Sequence, residues 1–317
     1  MKKRLIEIIV CPECRGELSL NVTLLEGEEV KDGLLACKGC GKSYPVRDYS
    51  PRFVSMDKYV DTFSFEWNKF YDVQMDIINN TDESEKTLRW KAGWRPEDLK
   101  GKLVLDIGVG SGRFADIVSM WGGEVVGIDL SFAVDAAYKN IGNRHNVHII
   151  QADIFNLPFR KETFDNMYSI GVLHHTHDTR QAFSKVVPLL KKGGEFAVFL
   201  YALGHYHYFS DIWRKITTRL PIKLMYYLSA VAVPLYYIHK IPFLGKAAQF
   251  LLPTANWSKW KWRWLDTFDW YTPKYQWKHT WSEVYRWFKD AGFRDMELYD
   301  DGKDSALTQI CMKGKKI

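Results

Sequence analysis

The stretch Val104-Leu-Asp-Ile-Gly-Val-Gly-Ser-Gly-Arg-Phe114 constrains the fold more than any other part of the chain. Residues 103–106 are apolar up to the closing acid, as a buried strand is, and 114–120 begin a helical pattern. Between them Gly108, Gly110 and Gly112 stand at alternate positions. Alternating glycines let the backbone turn sharply and approach a ligand that side chains would exclude. A dinucleotide site needs G-x-G-x-x-G, but Arg113 follows Gly112 and the third glycine comes one residue early. Strand, glycine turn and helix together predict a parallel α/β sheet with a ligand at the turn.

Strand and helix patterns keep alternating through 101–201. Glu124 to Asp129 is an apolar strand whose closing acid lies about twenty positions after the glycines, where a carboxylate can hold a ribose hydroxyl pair. Asp129, followed by Leu130, could equally cap the helix expected at 131–140. The strand from His148 ends at Ala152 and delivers Asp153 and Ile154; the strand from Phe164 delivers Ser169 to Gly171 and then His174-His175. Open α/β sheets bind ligands at the carboxyl ends of strands, and all these signals fall there.

G-x-G-x-G with Asp106 two residues ahead resembles motif I of the class I S-adenosylmethionine-dependent methyltransferases. The whole run 103–201 resembles their ubiquinone/menaquinone-biosynthesis type (methyltransferase type 11). The resemblance implies a Rossmann-like α/β fold with helices on both faces of the sheet, and S-adenosyl-L-methionine as cofactor. It implies cofactor contacts from Asp106, Gly108, Gly110, Gly112, Asp129, Leu130, Asp153, Ile154 and Ser169. In that scheme Asp129 takes the ribose, Asp153 the adenine amine with Ile154 against the ring, and the strand end Ser169 to Gly171 lies beside the methionine part and the reactive methyl.

Ahead of this core, Cys11-Pro-Glu-Cys14 and Cys37-Lys-Gly-Cys40 form two C-x-x-C knuckles 22 residues apart, joined by short strands. Cys11, Cys14, Cys37 and Cys40 can place four thiolates around one Zn²⁺ and leave no open position, so the metal is expected to be structural. The segment from Leu5 to about Val54, including Tyr44, Pro45 and Pro51, resembles the Trm112-like zinc module, a family with free-standing methyltransferase activators. The expected organisation is then a zinc module at 1–55, aromatic cap helices at 56–100, and the cofactor core at 101–201. A mainly helical insertion at 202–290 and terminal strands at 291–317 complete it.

Phe63, Phe65, Trp67, Phe70 and Tyr71 suit a helix laid over a pocket, with Trp67 a substrate contact, and equally suit simple docking of the zinc module onto the core. The insertion is rich in Tyr, Trp and Leu, and the chain has 13 tryptophans. Trp270 and Tyr271 are its expected acceptor contacts, in an irregular loop at 266–280. Residues 224–238 are nearly free of charge but number 15 and are expected to break at Pro234, too short to span a bilayer. A lid over the pocket and an amphipathic element resting on a membrane surface both fit them.

Methyl transfer from a sulfonium needs alignment and exclusion of water more than acid–base help. Where the nucleophile carries a proton, His175, His174 and His279 are the candidate bases. His205 and His207 form an H-x-H that could bind metal or simply pack. The net charge of +6 is modest, and no dense basic stripe marks a nucleic-acid surface. A small, apolar or aromatic acceptor is therefore the expected partner. Competing readings are an rRNA or tRNA methyltransferase that docks RNA through its zinc ribbon, and a non-catalytic cofactor-binding scaffold. The start of the chain lacks a secretory pattern, which predicts a cytoplasmic location, with a membrane surface as the alternative.

Overall fold

The computed structural model describes residues 1–54, 61–204, 208–299 and 309–317. The N-terminal module is a four-stranded antiparallel sheet of β1 (Leu18–Glu26), β2 (Glu29–Cys37), β3 (Ser43–Arg47) and β4 (Ser50–Pro51), in that order. Four helices lead to the core: α1 (Asp61–Lys69), α2 (Asp76–Asn79), α3 (Glu83–Ala92) and α4 (Pro96–Leu99). The core alternates β5 (Leu103–Ile107), α5 (Arg113–Met120), β6 (Glu124–Asp129), α6 (Ala133–Ile141), β7 (Val147–Gln151), β8 (Phe164–Ile170), α7 (Thr179–Val186) and β9 (Leu190–Tyr201). A helical cap follows: α8 (Tyr208–Thr217), α9 (Ile222–Ser229), α10 (Ala232–His239), α11 (Leu244–Leu251) and α12 (Trp260–Tyr271). The chain then returns to the sheet through α13 (Trp281–Asp290), β10 (Phe293–Tyr299) and β11 (Gln309–Lys316).

The main sheet has seven strands in the order β10-β11-β9-β8-β5-β6-β7, parallel from β9 to β7 and antiparallel where β11 joins β9 and β10. This is the α/β architecture the alternating patterns predict. Successive strand residues point to opposite faces. Val104, Val125 and Ile149 pack with α5 and α6 on one face, and Leu105, Val126 and Ile150 pack on the other. The chain runs from β5 outward to β7, then crosses back to β8 on the other side of β5. That reversal opens a crevice at the carboxyl ends of β5 and β8.

The cysteine-bearing module is not a pendant. Phe53 N–H donates to the Gln151 carbonyl at 2.8 Å and Val10 N–H to that of Pro158 at 2.9 Å, so the module covers the outer edge of β7. Arg52 adds an ion pair to Asp135 at 2.5 Å. Ile9, Leu18, Tyr44 and Phe53 share one continuous apolar cluster with Ile150, Leu157 and Phe159. A bare edge strand would present unpaired backbone groups, and here the module pairs or buries them.

Two local expectations change. Residues 266–270, expected as loop, are the second half of the 12-residue helix α12, and the chain leaves the helix just before Pro273. The buried Arg214 guanidinium donates to the carbonyls of Trp270 at 3.0 Å and Pro273 at 2.6 Å, satisfying groups at the end of that helix. The 224–238 run is two short helices, and the break falls at 230–231 rather than at Pro234. Pro234 lies in the first turn of α10, where its missing N–H has no helical partner to lose. No helix among the described residues is long and apolar enough to cross a membrane.

A shared cluster should unfold as a unit. Phe159 is fully buried, 5.1 Å from the Phe164 ring, and bridges to Ile9. Phe159→Ala should cost about 3–5 kcal/mol and lower one cooperative transition seen by urea unfolding of the full chain. Two separate transitions, with the module melting alone, would contradict the shared core.

Candidate active site

The glycine turn is built as its sequence requires. Gly108 has φ +85°, and a Cβ there would lie 2.2 Å from the Val172 side chain. Gly110 has φ +52° and lies under the Trp67 indole, which a Cβ would meet at 3.1 Å. Asp129 at the end of β6 braces the turn: its Oδ2 accepts from Gly110 N–H at 3.1 Å, and its Oδ1 from Ser131 N–H at 2.9 Å and Ser131 Oγ at 2.7 Å. Burial pushes its carboxyl up despite these bonds. Helix α1 is held across this end of the crevice by Asn68 Nδ2, 2.9 Å from the Phe132 carbonyl, and by Ser64 Oγ, which accepts from Phe132 N–H at 3.1 Å.

A cavity of about 1110 Å³ opens from the glycine turn to the helical cap. Gly108, Gly110, Asp129, Leu130 and Ile154 line one end of it, with Trp67 above; His175 and Trp270 line the other. The remaining expected site residues are placed elsewhere. Asp106 is 2% exposed and lies beneath the turn, where burial raises its carboxyl to about 7. Gly112 is the N-cap of α5 and faces Ile141. The Asp153 carboxylate accepts from Phe155 N–H at 2.9 Å, closing its own turn. Ser169 is buried with its Oγ 3.3 Å from the Ile107 carbonyl, and its neighbours Ile170 and Gly171 form the wall instead. Tyr271 is buried with its hydroxyl donating to the Pro253 carbonyl at 2.6 Å. His205 and His207 lie outside the described residues.

The three candidate bases separate cleanly. His175 lines the cavity, and its Nδ1 lies 2.8 Å from the Tyr275 carbonyl, which only accepts, so Nδ1 carries the proton and Nε2 keeps a lone pair. Burial lowers its pKa to about 4, so it is neutral at physiological pH. His174 is fully buried behind it, ring to ring with Tyr201 at 4.1 Å, and does not reach the cavity. His279 serves the backbone, with its N–H on the Tyr201 carbonyl at 3.0 Å and its Nδ1 3.2 Å from Glu283.

The cap end of the cavity holds charges that sequence patterns did not bring together. Glu66 on α1 is fully buried, with neither carboxylate oxygen hydrogen-bonded. Burial first, then Asp269 and Asp266, pushes its carboxyl well above the ordinary range. Asp266 accepts from Gln74 Nε2 at 3.1 Å and from the Trp257 indole. Burial raises Asp266 to about 6 and Asp269 to about 7. Lys91 and Arg113 face the same space, and burial brings Lys91 down to about 7, with its ammonium 3.3 Å from the Phe199 ring centroid. The spacing of Asp266 and Asp269, i and i+3 inside an aromatic helix, was the one sequence signal for this cluster.

The four sulfurs of Cys11, Cys14, Cys37 and Cys40 lie within 4.8 Å of one another, with Cys11···Cys40 at 3.7 Å and Cys14···Cys37 at 3.4 Å. A tetrahedron with metal–sulfur bonds of about 2.3 Å has edges of about 3.8 Å, so the cluster fits one zinc ion. Gly39 and Cys40 N–H groups point at Cys37 Sγ, as they do toward a thiolate.

Residues 105–198 match the methyltransferase domain family, and residues 2–48 match the Trm112p-like protein family. The chain is 29% identical over 141 residues to the sterol 24-C-methyltransferase of Saccharomyces cerevisiae, covering 43% of this chain and 36% of that protein. It is 30% identical over 101 residues to the demethylmenaquinone methyltransferase of Thermobifida fusca (31% and 43%), and 34% over 117 residues to the tRNA U34 carboxymethyltransferase of Pseudoalteromonas translucida (33% and 36%). The chain thus spans less than half the length of these relatives. Among solved structures, the phosphoethanolamine N-methyltransferase 2 of Haemonchus contortus superposes with a TM-score of 0.49 at 16% identity, covering 86% of this chain and 63% of that one. That value does not bear on function.

The Glu66 carboxyl gives a pH test. Its pKa is higher folded than unfolded, so burial is tolerated below about pH 4.5 and increasingly costs stability as pH rises from there toward the folded pKa, about 1.4 kcal/mol per unit of elevation. Glu66→Gln should therefore gain in Tm relative to the parent as pH goes from 4.5 to 8. A difference that stays flat with pH would show the carboxyl to be unperturbed.

Proposed function

We propose that this chain, which carries a methyltransferase domain and a Trm112-like module, is an S-adenosylmethionine-dependent methyltransferase acting on a small, largely apolar or aromatic acceptor. The observation that carries the reading is one continuous cavity joining two unlike ends. The glycine turn, Asp129, Ile154 and Trp67 form a narrow end whose donors and flat faces suit a nucleoside, and Trp257, Trp262, Trp270 and Tyr201 give the other end aromatic walls. The module would hold a structural zinc through its four cysteines, and the 202–290 segment would supply the acceptor chamber.

S-adenosylmethionine, when bound, supplies a methyl on a sulfonium, an activated leaving group. The chain's own part is then positioning. Asp129, already tied to Gly110 and Ser131 through three hydrogen bonds, keeps an acceptor position on Oδ2 for a ribose hydroxyl. The α1 helix and the aromatic walls exclude water from the line of transfer. His175 Nε2 is placed to take a proton from a hydroxyl or amine acceptor, and its low pKa keeps that lone pair free at neutral pH. A tRNA acceptor is the second reading, supported by the tRNA U34 carboxymethyltransferase likeness. The roofed chamber favours a small molecule.

Three measurements test this proposal. Calorimetry with Asp129→Ala should show S-adenosylmethionine binding weaker by roughly 1.5–3 kcal/mol, the loss of one charge-assisted hydrogen bond; unchanged affinity would remove Asp129 from the site. Trp270→Ala should raise the acceptor KM or lower kcat while cofactor affinity stays within about twofold, and loss of cofactor binding would place Trp270 at the wrong end. Metal analysis should return about one zinc per chain with an all-sulfur shell near 2.3 Å; protein purified without chelator and free of metal would defeat the structural-zinc reading.

A further inference from the structure

Between residues 212 and 265 the chain carries nine lysines and arginines and no aspartate or glutamate. Elsewhere acids and bases are interspersed, so this charge pattern is confined to the helical cap. Six of the nine basic side chains are exposed: Lys215, Arg219, Lys223, Lys240, Lys246 and Lys261. The same cap exposes large apolar side chains in helical register. On α9 Leu224, Tyr227 and Leu228 are exposed at i, i+3 and i+4, and Val231 extends the row at i+7. On α10 Tyr237 and Ile238 lead to Ile241 with the same spacing. At α11 Phe243 is 89% exposed, and Phe250 and Leu251 follow about two turns later.

These rows belong to one body. The Trp213 indole donates to the Leu251 carbonyl at 2.8 Å, and the Phe209 and Phe250 rings meet edge to face at 4.7 Å, which ties α8 to α11. The opposite sides of the helices are packed. Met225 lies in a cluster with Phe268 and Tyr271, and Tyr226 packs against Trp264. So many exposed large apolar side chains on neighbouring helices, interspersed with exposed lysines and no acid from 212 to 265, make up the composition of interfacial helices.

The cavity opens on this side. Of the residues lining it, those that are exposed are Lys246, Phe250, Asn256 and Trp257, all from α11 and the loop after it. The mouth of the acceptor chamber therefore lies within the apolar, basic-rimmed face.

We infer that the cap of α8 to α11 docks on the surface of an anionic lipid bilayer, and that the chamber takes its acceptor from the lipid phase. Exposed rings and aliphatic chains enter the headgroup boundary, and the surrounding lysines meet lipid phosphates. Helices of eight to ten residues cannot span the bilayer, so contact stays at the surface. An acceptor with an apolar tail can then slide from the membrane past Phe250 and Trp257 without crossing water. Charge favours lipid over a second copy of this chain, whose matching face would bring like charges together. Apolar exposure favours lipid over RNA, whose phosphates need the lysines but not the aliphatic rows.

Vesicle co-sedimentation of the full chain, without cofactor, tests the docking separately from methyl transfer. Vesicles of phosphatidylcholine with about one third phosphatidylglycerol should bind the protein at least about tenfold better than phosphatidylcholine alone, with the advantage falling in 0.5 M salt. Tyr227→Ser, Tyr237→Ser and Phe243→Ser combined should abolish most of the binding, with Tm and S-adenosylmethionine affinity unchanged. Lys223→Glu with Lys240→Glu should remove the anionic preference. The proposal is overturned if the parent protein stays in the supernatant, or if the serine variant sediments equally. It is also overturned if the serine variant instead converts a vesicle-free dimer to monomer, or if tRNA outcompetes vesicles for the parent protein.

Discussion

The bond from Gly110 N–H to Asp129 joins the carboxyl ends of two neighbouring strands, and the site depends on it. Gly108 and Val109 N–H groups both donate to the Ile128 carbonyl at 2.8 Å, so the glycine turn is pulled toward β6 before it enters α5. This curl leaves the crevice between β5 and β8 open, and only residues without a Cβ can make it against Val172 and Trp67. Asp129 is thus a structural brace and a cavity wall at once. Its half-buried carboxylate already has the polarity that a ribose would otherwise have to induce, and preorganisation of this kind limits the ordering cost of binding.

The cysteine module acts on the same site from the other side of β7. Arg15 donates to the Leu157 carbonyl at 2.7 Å, and Val10 N–H to that of Pro158. The segment held this way, 152–159, begins with Ala152 and Ile154, which wall the cavity. The four-cysteine cluster that includes Cys11 is therefore linked through the Cys11–Arg15 turn and residues 152–159 to the cavity wall.

What was legible in the sequence is what local chemistry dictates. The glycine turn is dictated by backbone conformation, the cysteine knuckles by ligand spacing, and the acid closing β6 by strand length. Less legible was which side of a strand end a residue faces. Ser169 points back at Ile107, while Ile170 and Gly171, one step along, reach the cavity; alternation moves a whole role by one residue. Asp153 closes its own turn for the same local reason. The aromatic run at 260–271 read as loop beyond Leu265, because its turn-rich continuation hid the helical spacing of Asp266 and Asp269. Glu66, Lys91, Arg113 and these two acids come from four separate elements. Only tertiary packing brings them together, and no spacing rule reports it.

The cap sorts charge by side. From 212 to 271 its only acids are Asp266 and Asp269, and both face the cavity, while most of its bases face out. The inward acids are desolvated, which raises both; Asp266 also raises Asp269, and both raise the buried Glu66 carboxyl. Lys91 and Arg113 line the same space and lower the carboxyl of Asp266 against its burial. The outward bases face water at high dielectric, where they repel little and cost little. Segregation of this kind leaves the desolvated charges on the chamber side of the cap and the solvated ones outside, where charge costs least.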